Sequence, residues 1–168
     1  MNFFRTIAAT IASVTLTAAP ALATVDGGTT ELLQKMQESG IQIVFDNKEI
    51  CDTHHGQYRF AGMKRTLILC PGDSADGFDH LVVRHEAFHA VQHCVNVARG
   101  TNLNTPAIDD VDELAEFVNN GVPADIVQFV KDSYPEDQWL IEFEAQYASL
   151  NHTAAEIQEW FEKACLAE

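Results

Sequence analysis

Between residues 79 and 99 the chain is apolar around most of a helical circumference. At 100° per residue, side chains such as Leu81, Val83, Phe88, Val91, Cys94 and Val95 fill a very wide arc. Only a narrow wedge is polar, holding His85, His89, Gln92 and Asn96, with Glu86 and His93 on its borders. A solvent-facing stripe ordinarily carries Lys, Arg and Glu, but this wedge has no lysine and a histidine pair at its centre. The pattern predicts a helix from about Asp79 to Arg99, ended by Gly100 and buried nearly all round, with a neutral polar seam.

The rest of the chain reads as short elements. Leu32, Leu33 and Met36 share one face of a helix over 29–38 that Gly40 stops. Ile41 to Phe45 alternates like a strand, and 57–60 and Thr66 to Cys70 predict two more strands around a turn at Ala61-Gly62. Further helices are expected at 111–119, 123–132, 136–150 and 153–165. A small antiparallel sheet followed by helices argues for the α+β class. No internal repeat or low-complexity stretch interrupts this order.

The first 23 of the 168 residues read differently. Arg5 is their single charge, a short apolar run follows it, and Ala-Pro-Ala-Leu-Ala at 19–23 suits signal cleavage after Ala23. The run is too short and too rich in Thr and Ser to span a bilayer of ~30 Å. The expectation is a signal peptide over 1–23 and one exported domain over 24–168, secreted or periplasmic. Removing Arg5 and no acid moves the formal charge from -15 to -16. So acidic a surface repels phosphate backbones and anionic lipid, so nucleic acid and membrane are not expected partners.

Cys51, Cys70, Cys94 and Cys165 are the four cysteines, with no Cys-x-x-Cys among them. In an exported chain an even number argues for disulfides over a metal knuckle, and four allow three pairings. Cys51 and Cys70 flank the second and third strands, while Cys94 and Cys165 sit on the long helix and the last one. This placement favours Cys51–Cys70 and Cys94–Cys165.

The chemistry is concentrated in His85-Glu86-Ala87-Phe88-His89. Histidines four apart stand one above the other on a helix, so both imidazoles can hold one metal ion. Glu86, about 100° round, can handle a proton of a metal-activated water without being a ligand. His93 is ~12 Å along the axis from His85 and cannot share that ion. Asp52, His54 and His55 form a second, weaker candidate for a metal in a loop.

His85 to His89, preceded by Leu81-Val-Val-Arg84, resembles the active-site helix of zincin metallopeptidases. Thr66 to Cys70 resembles the edge strand on which zincins align an extended substrate. The metzincin branch needs a third histidine where this chain has Val95. Glu142-Phe-Glu-Ala-Gln146 resembles the Glu-x-x-Ala-Asp pattern of the gluzincin branch, with Gln146 in place of the Asp beside the metal ligands. The resemblance implies one zinc ion held by His85, His89 and Glu142, Glu86 as general base, and Gln146 supporting the ligands. It covers residues 66–96 and 138–149.

Glu142 and Glu144 lie about 200° apart on a helix, so only one can face the metal. Glu144 aligns with Asp137 and Asn151 and is expected on a solvent face. Glu142 aligns with Gln138, Gln146 and Ser149 in a second polar seam. The expected protein is thus a monomeric zinc peptidase acting on peptides or proteins. The alternatives are a secreted metal-binding or interaction module without turnover, and a hydrolase of some other carbonyl substrate. Tyr134, Tyr147 and His152 are all chemically able to stabilise an oxyanion.

Overall fold

The structure, a computed structural model, describes residues 28–72, 77 and 79–166. The segment read as a signal peptide lies outside them. Helix α1 (Thr29–Glu38) buries Leu32, Leu33 and Met36, as its apolar spacing requires. At its end Gly40 takes φ 88° and the N–H of Ile41 returns to the carbonyl of Met36 at 3.0 Å, a Schellman stop that turns the chain into β1 (Gln42–Phe45).

A four-residue helix that the sequence pattern did not announce, α2 (Lys48–Cys51), follows under an Asn47 cap. It leads into β2 (Gly56–Ala61) and β3 (Lys64–Leu69), joined by a tight turn in which Gly62 has φ 60°. The fold is α+β, but its sheet is mixed rather than antiparallel. The order is β1-β3-β2, with β1 parallel to β3 and β2 antiparallel to it. The third strand is therefore central, which explains its unbroken run Leu67-Ile68-Leu69, buried throughout. The strand expected at the edge, Thr66 to Cys70, is instead the middle one, and β2 takes the edge.

Helix α3 (His80–Arg99) starts where the Asp79 side chain accepts the N–H of Leu81 at 2.8 Å and ends at Gly100 with φ 65°. It lies between the sheet and the later helices. After α4 (Val111–Gly121) and α5 (Ala124–Ser133), a 3-10 turn over Glu136–Gln138 precedes α6 (Trp139–Asn151). A capping box formed by Thr153 and Glu156 opens α7 (Ala154–Cys165). The main core joins α1, β3, α3, α6 and α7 through residues such as Met36, Leu67, Val83, Ala145 and Phe161. A smaller core, with Leu114, Val118, Val130 and Phe143, fastens α4 and α5 to α6. Among the described residues no helix is long and apolar enough to cross a membrane.

Disulfides link Cys51 to Cys70 and Cys94 to Cys165. The first ties α2 to the end of β3; the second ties α3 to α7 across the core. Non-reducing peptide mapping should recover both. In the chain-entropy picture, closing 19 residues contributes about 3 kcal/mol, and replacing Cys51 and Cys70 by serine should lower the urea midpoint accordingly. An unchanged midpoint would show that this bridge adds no constraint to the unfolded chain.

Candidate metal centre

Two successive turns of α3 present His85 and His89, and the first turn of α6 presents Glu142. The three are brought together in the interior: His85 and Glu142 are 8 % and 6 % exposed. His85 Nε2 and His89 Nε2 are 3.1 Å apart, and they lie 3.3 and 3.5 Å from the two oxygens of Glu142. Donors bound at the ~2.0–2.1 Å typical of zinc and arranged tetrahedrally stand about 3.3 Å from one another. The spacing is thus already that of three ligands on one ion. Glu142 Oε2 is buried and has no hydrogen-bond partner, and a cation would satisfy it. Among the described residues this is the one group of three or more metal-binding side chains close enough to act together.

Charge distribution reinforces the geometry. Burial alone would raise the Glu142 carboxyl, yet its contacts with His85 and His89 hold it well below the usual carboxylate range. Burial likewise pulls His89 down, but its bond to Glu142 and the Glu142 and Glu86 charges outweigh this and lift it to about 9. Without an ion, a proton on His89 supplies the positive charge that the carboxylate demands.

Glu86 is 8 % exposed and is not part of the ligand triangle. Its Oε2 accepts the backbone N–H of Tyr58 in β2 at 2.7 Å, which fixes the carboxylate against the sheet edge. That contact needs β2 to lie very close to α3. A Cβ on Gly56 would stand 2.6 Å from Val82 Cγ1 and 3.1 Å from Glu86 Cγ, so glycine is required there.

A cleft runs past the centre in two halves that meet at Gly56, Glu86 and Tyr134. One half, of about 220 Å³, is walled by Tyr58, Phe60 and His93 and by Leu103 and Asn104 of the segment 101–110. The other, of about 420 Å³, adjoins His85 and is walled by Leu81, Val82, Ile126, Phe129 and Leu150. No Asp, Lys or Arg lines either half among the described residues. Leu81, Phe129 and Leu150 are each more than a third exposed here.

The other residues singled out by sequence are placed as follows. Of the three candidate oxyanion donors, Tyr134 reaches the cleft. Burial first, and then the Glu142 and Glu86 carboxylates, push its phenol far above its ordinary value, so it keeps its proton. Tyr147 stacks on Phe117 and His152 packs on Trp160, both in a separate apolar cleft. His93 lies against Phe60, with ring centres 4.4 Å apart, and borders the cleft without joining the ligands. His54 also lines the cleft, but the Asp52, His54 and His55 loop does not form a metal-binding group.

Gln146 lines the half of the cleft beside His85, with no hydrogen bond to a ligand among the described residues. The side chain that does support a ligand is Gln92, whose Oε1 is 2.7 Å from His89 Nδ1. Its position in the polar wedge of α3 was the available signal. Glu144 departs from expectation: it is 1 % exposed, not on a solvent face. Asp137, used to set that face, lies in the 3-10 turn before α6, and the segment 101–110 covers Glu144.

Comparison of the chain with protein-family models, with curated proteins and with solved structures finds no match in any of the three.

Because His89 keeps its proton up to about pH 9 in the metal-free centre, an incoming ion must displace it. Metal uptake at pH 7 should release about one proton, and apparent affinity should climb with pH until about 9. Calorimetry in two buffers of different ionisation enthalpy measures this directly. Uptake with no proton release would contradict the charge state described. His85→Ala, His89→Ala and Glu142→Ala should each weaken binding by orders of magnitude.

Proposed function

We propose that the chain is an exported zinc-dependent peptidase of the zincin type, with a gluzincin-like ligand set. The observation that carries this reading is Glu86: a buried carboxylate, excluded from the ligand triangle, fixed by a backbone N–H and open to both halves of the cleft. A pure binding site has no use for such a group beside its ligands. Two histidine nitrogens with one carboxylate are a donor set that zinc accepts. The two disulfides are in keeping with an oxidising compartment.

His85, His89 and Glu142 would hold the ion, which supplies Lewis acidity to a carbonyl oxygen and to a water molecule. Glu86 would take a proton from the water as its oxygen bonds to the carbonyl carbon, and would give that proton to the amine nitrogen as the C–N bond breaks. Tyr134, which stays protonated, donates a hydrogen bond to the carbonyl oxygen as it gains charge. Peptide is the favoured substrate because β2 borders the cleft and, among the described residues, pairs with β3 on one side only. An extended chain can lie along its other side. The absence of Asp, Lys and Arg from the walls among the described residues, with the exposed Leu81, Phe129 and Leu150, suits a bulky apolar side chain next to the scissile bond.

Glu86→Gln should retain one zinc per chain and lose peptide cleavage by at least a thousandfold. Tyr134→Phe should lower kcat by about 10–1,000-fold with little change in KM. In a peptide library, cleavage should favour Leu or Phe over Asp or Lys beside the scissile bond. A Glu86→Gln variant that still cleaves would overturn the mechanism. Full zinc loading without cleavage of any library member would instead favour the non-catalytic metal-binding module.

A further inference from the structure

The polar stripe of α3 does not end at the metal ligands. Gln92 and Asn96 continue it at spacings of three and four residues, and they are 1 % and 0 % exposed. Gln92 has three partners. Its Oε1 meets His89 Nδ1 at 2.7 Å, and its Nε2 donates to the Ile141 carbonyl at 2.9 Å and to Glu144 Oε2 at 2.8 Å. A primary amide has two hydrogens to donate and one oxygen to accept with. Both hydrogens are taken by oxygens that can only accept, so the amide cannot be flipped. Its oxygen must therefore face His89, and His89 must carry a hydrogen on Nδ1. That leaves Nε2 of His89, which faces His85 and Glu142, as the nitrogen that gives up its proton to bind an ion.

Glu144 continues the chain of contacts to the cleft wall. Its two oxygens accept the backbone N–H groups of Ala107 and Ile108 at 2.7 and 2.8 Å. These residues belong to the same segment, 101–110, that brings Leu103 and Asn104 to the cleft. A separate anchor holds the segment's beginning: Asn96 donates to the Thr105 carbonyl at 2.7 Å and accepts from the hydroxyls of Thr101 and Thr105 at 2.9 Å each.

We propose that Gln92 and Glu144 form a latch between the metal centre and the segment 101–110. Metal on His89 tightens the segment, and the latched segment holds His89 in the orientation that binds metal. Coupling of this kind acts equally in both directions, so it is visible from either end. Glu144 is thus a positioning residue that acts on the ion through Gln92 and His89. The inference rests on the centre binding a metal and is independent of peptide hydrolysis.

The test uses the full disulfide-bonded protein with zinc alone as the probe, and cleavage enters none of the measurements. Zinc affinity is read by competition with a chromophoric chelator. Amide hydrogen exchange across 101–110 is followed with and without zinc. In the wild-type protein, zinc should slow exchange at Ala107 and Ile108. In Gln92→Leu, which conserves volume, affinity should drop about 10–100-fold and zinc should no longer slow those two amides. The Asn96 anchor is intact in that variant, so the segment stays docked. In Glu144→Gln, a single carbonyl oxygen cannot serve three donors, and Ala107 and Ile108 should exchange faster even without zinc. Should Glu144→Gln fail to fold, Gln92→Leu decides alone. Wild-type affinity in Gln92→Leu, or zinc protection of Ala107 and Ile108 undiminished in it, overturns the latch. Wild-type protein that takes up no zinc overturns the metal centre on which it rests.

Discussion

A stripe of polar side chains lies in the interior on α3, and each member has to be bonded there. Leaving one buried polar group unpaired costs about 1–3 kcal/mol, and more for a charge, a large share of the whole stability of a small domain. His85, His89, Gln92 and Asn96 run in line down the helix, and a polar group from elsewhere in the fold stands opposite each, although His85 Nδ1 itself has no hydrogen-bond partner. Glu142 meets the two histidines, Glu144 and the Ile141 carbonyl meet Gln92, and the segment 101–110 meets Asn96. The position of α6 against α3, and of the irregular segment against both, follows from this requirement. Apolar packing brings the helices together without direction; the polar stripe sets their register.

The same requirement separates the two acidic residues of α6. Glu142 and Glu144 cannot share a direction on a helix, yet both are buried because α6 is covered on more than one side. Glu142 sits opposite two imidazoles that provide positive charge, as protons or as ligands to a shared ion. Glu144 sits opposite N–H groups, which stabilise a carboxylate by hydrogen bonds alone. Its burial pushes the carboxyl above its ordinary value, against the pull of Gln92, Ala107 and Ile108. One carboxylate thus faces the candidate metal centre and the other holds the segment 101–110.

The sheet contributes to the site by proximity. Its edge strand lies against α3 at Gly56, where no side chain fits, and there the Tyr58 N–H reaches Glu86. The two disulfides hold the pieces on which this depends. Cys51–Cys70 fixes the approach to β2 beside the end of β3, and Cys94–Cys165 fixes α3 against α7. In a chain this short, such links compensate for the modest core that a small domain can bury. The zinc peptidase proposal draws on this rigidity, because a base must be held beside its water before it can work.

Local periodicity carries the information that was legible along the chain. Apolar spacing marked α1 and α3, and glycine positions marked their ends. The four-residue interval between His85 and His89 implied a shared face whatever the fold, and the polar seam around Glu142 singled it out from Glu144. Cysteine placement on those elements suggested the two bridges. Other features depended on contacts between distant segments. The parallel pairing of β1 with β3 required the α2 crossover, a helix too short to leave a periodic signal. Glu144 looked solvent-facing because a helical wheel represents one helix and not the loop that covers it. Tyr134 was indistinguishable from Tyr147 and His152 until the end of α5 was set beside the metal centre. Spacing within a helix is dictated by backbone geometry, so sequence determines it; which surfaces meet is decided by the whole chain's packing, and only the tertiary structure shows it.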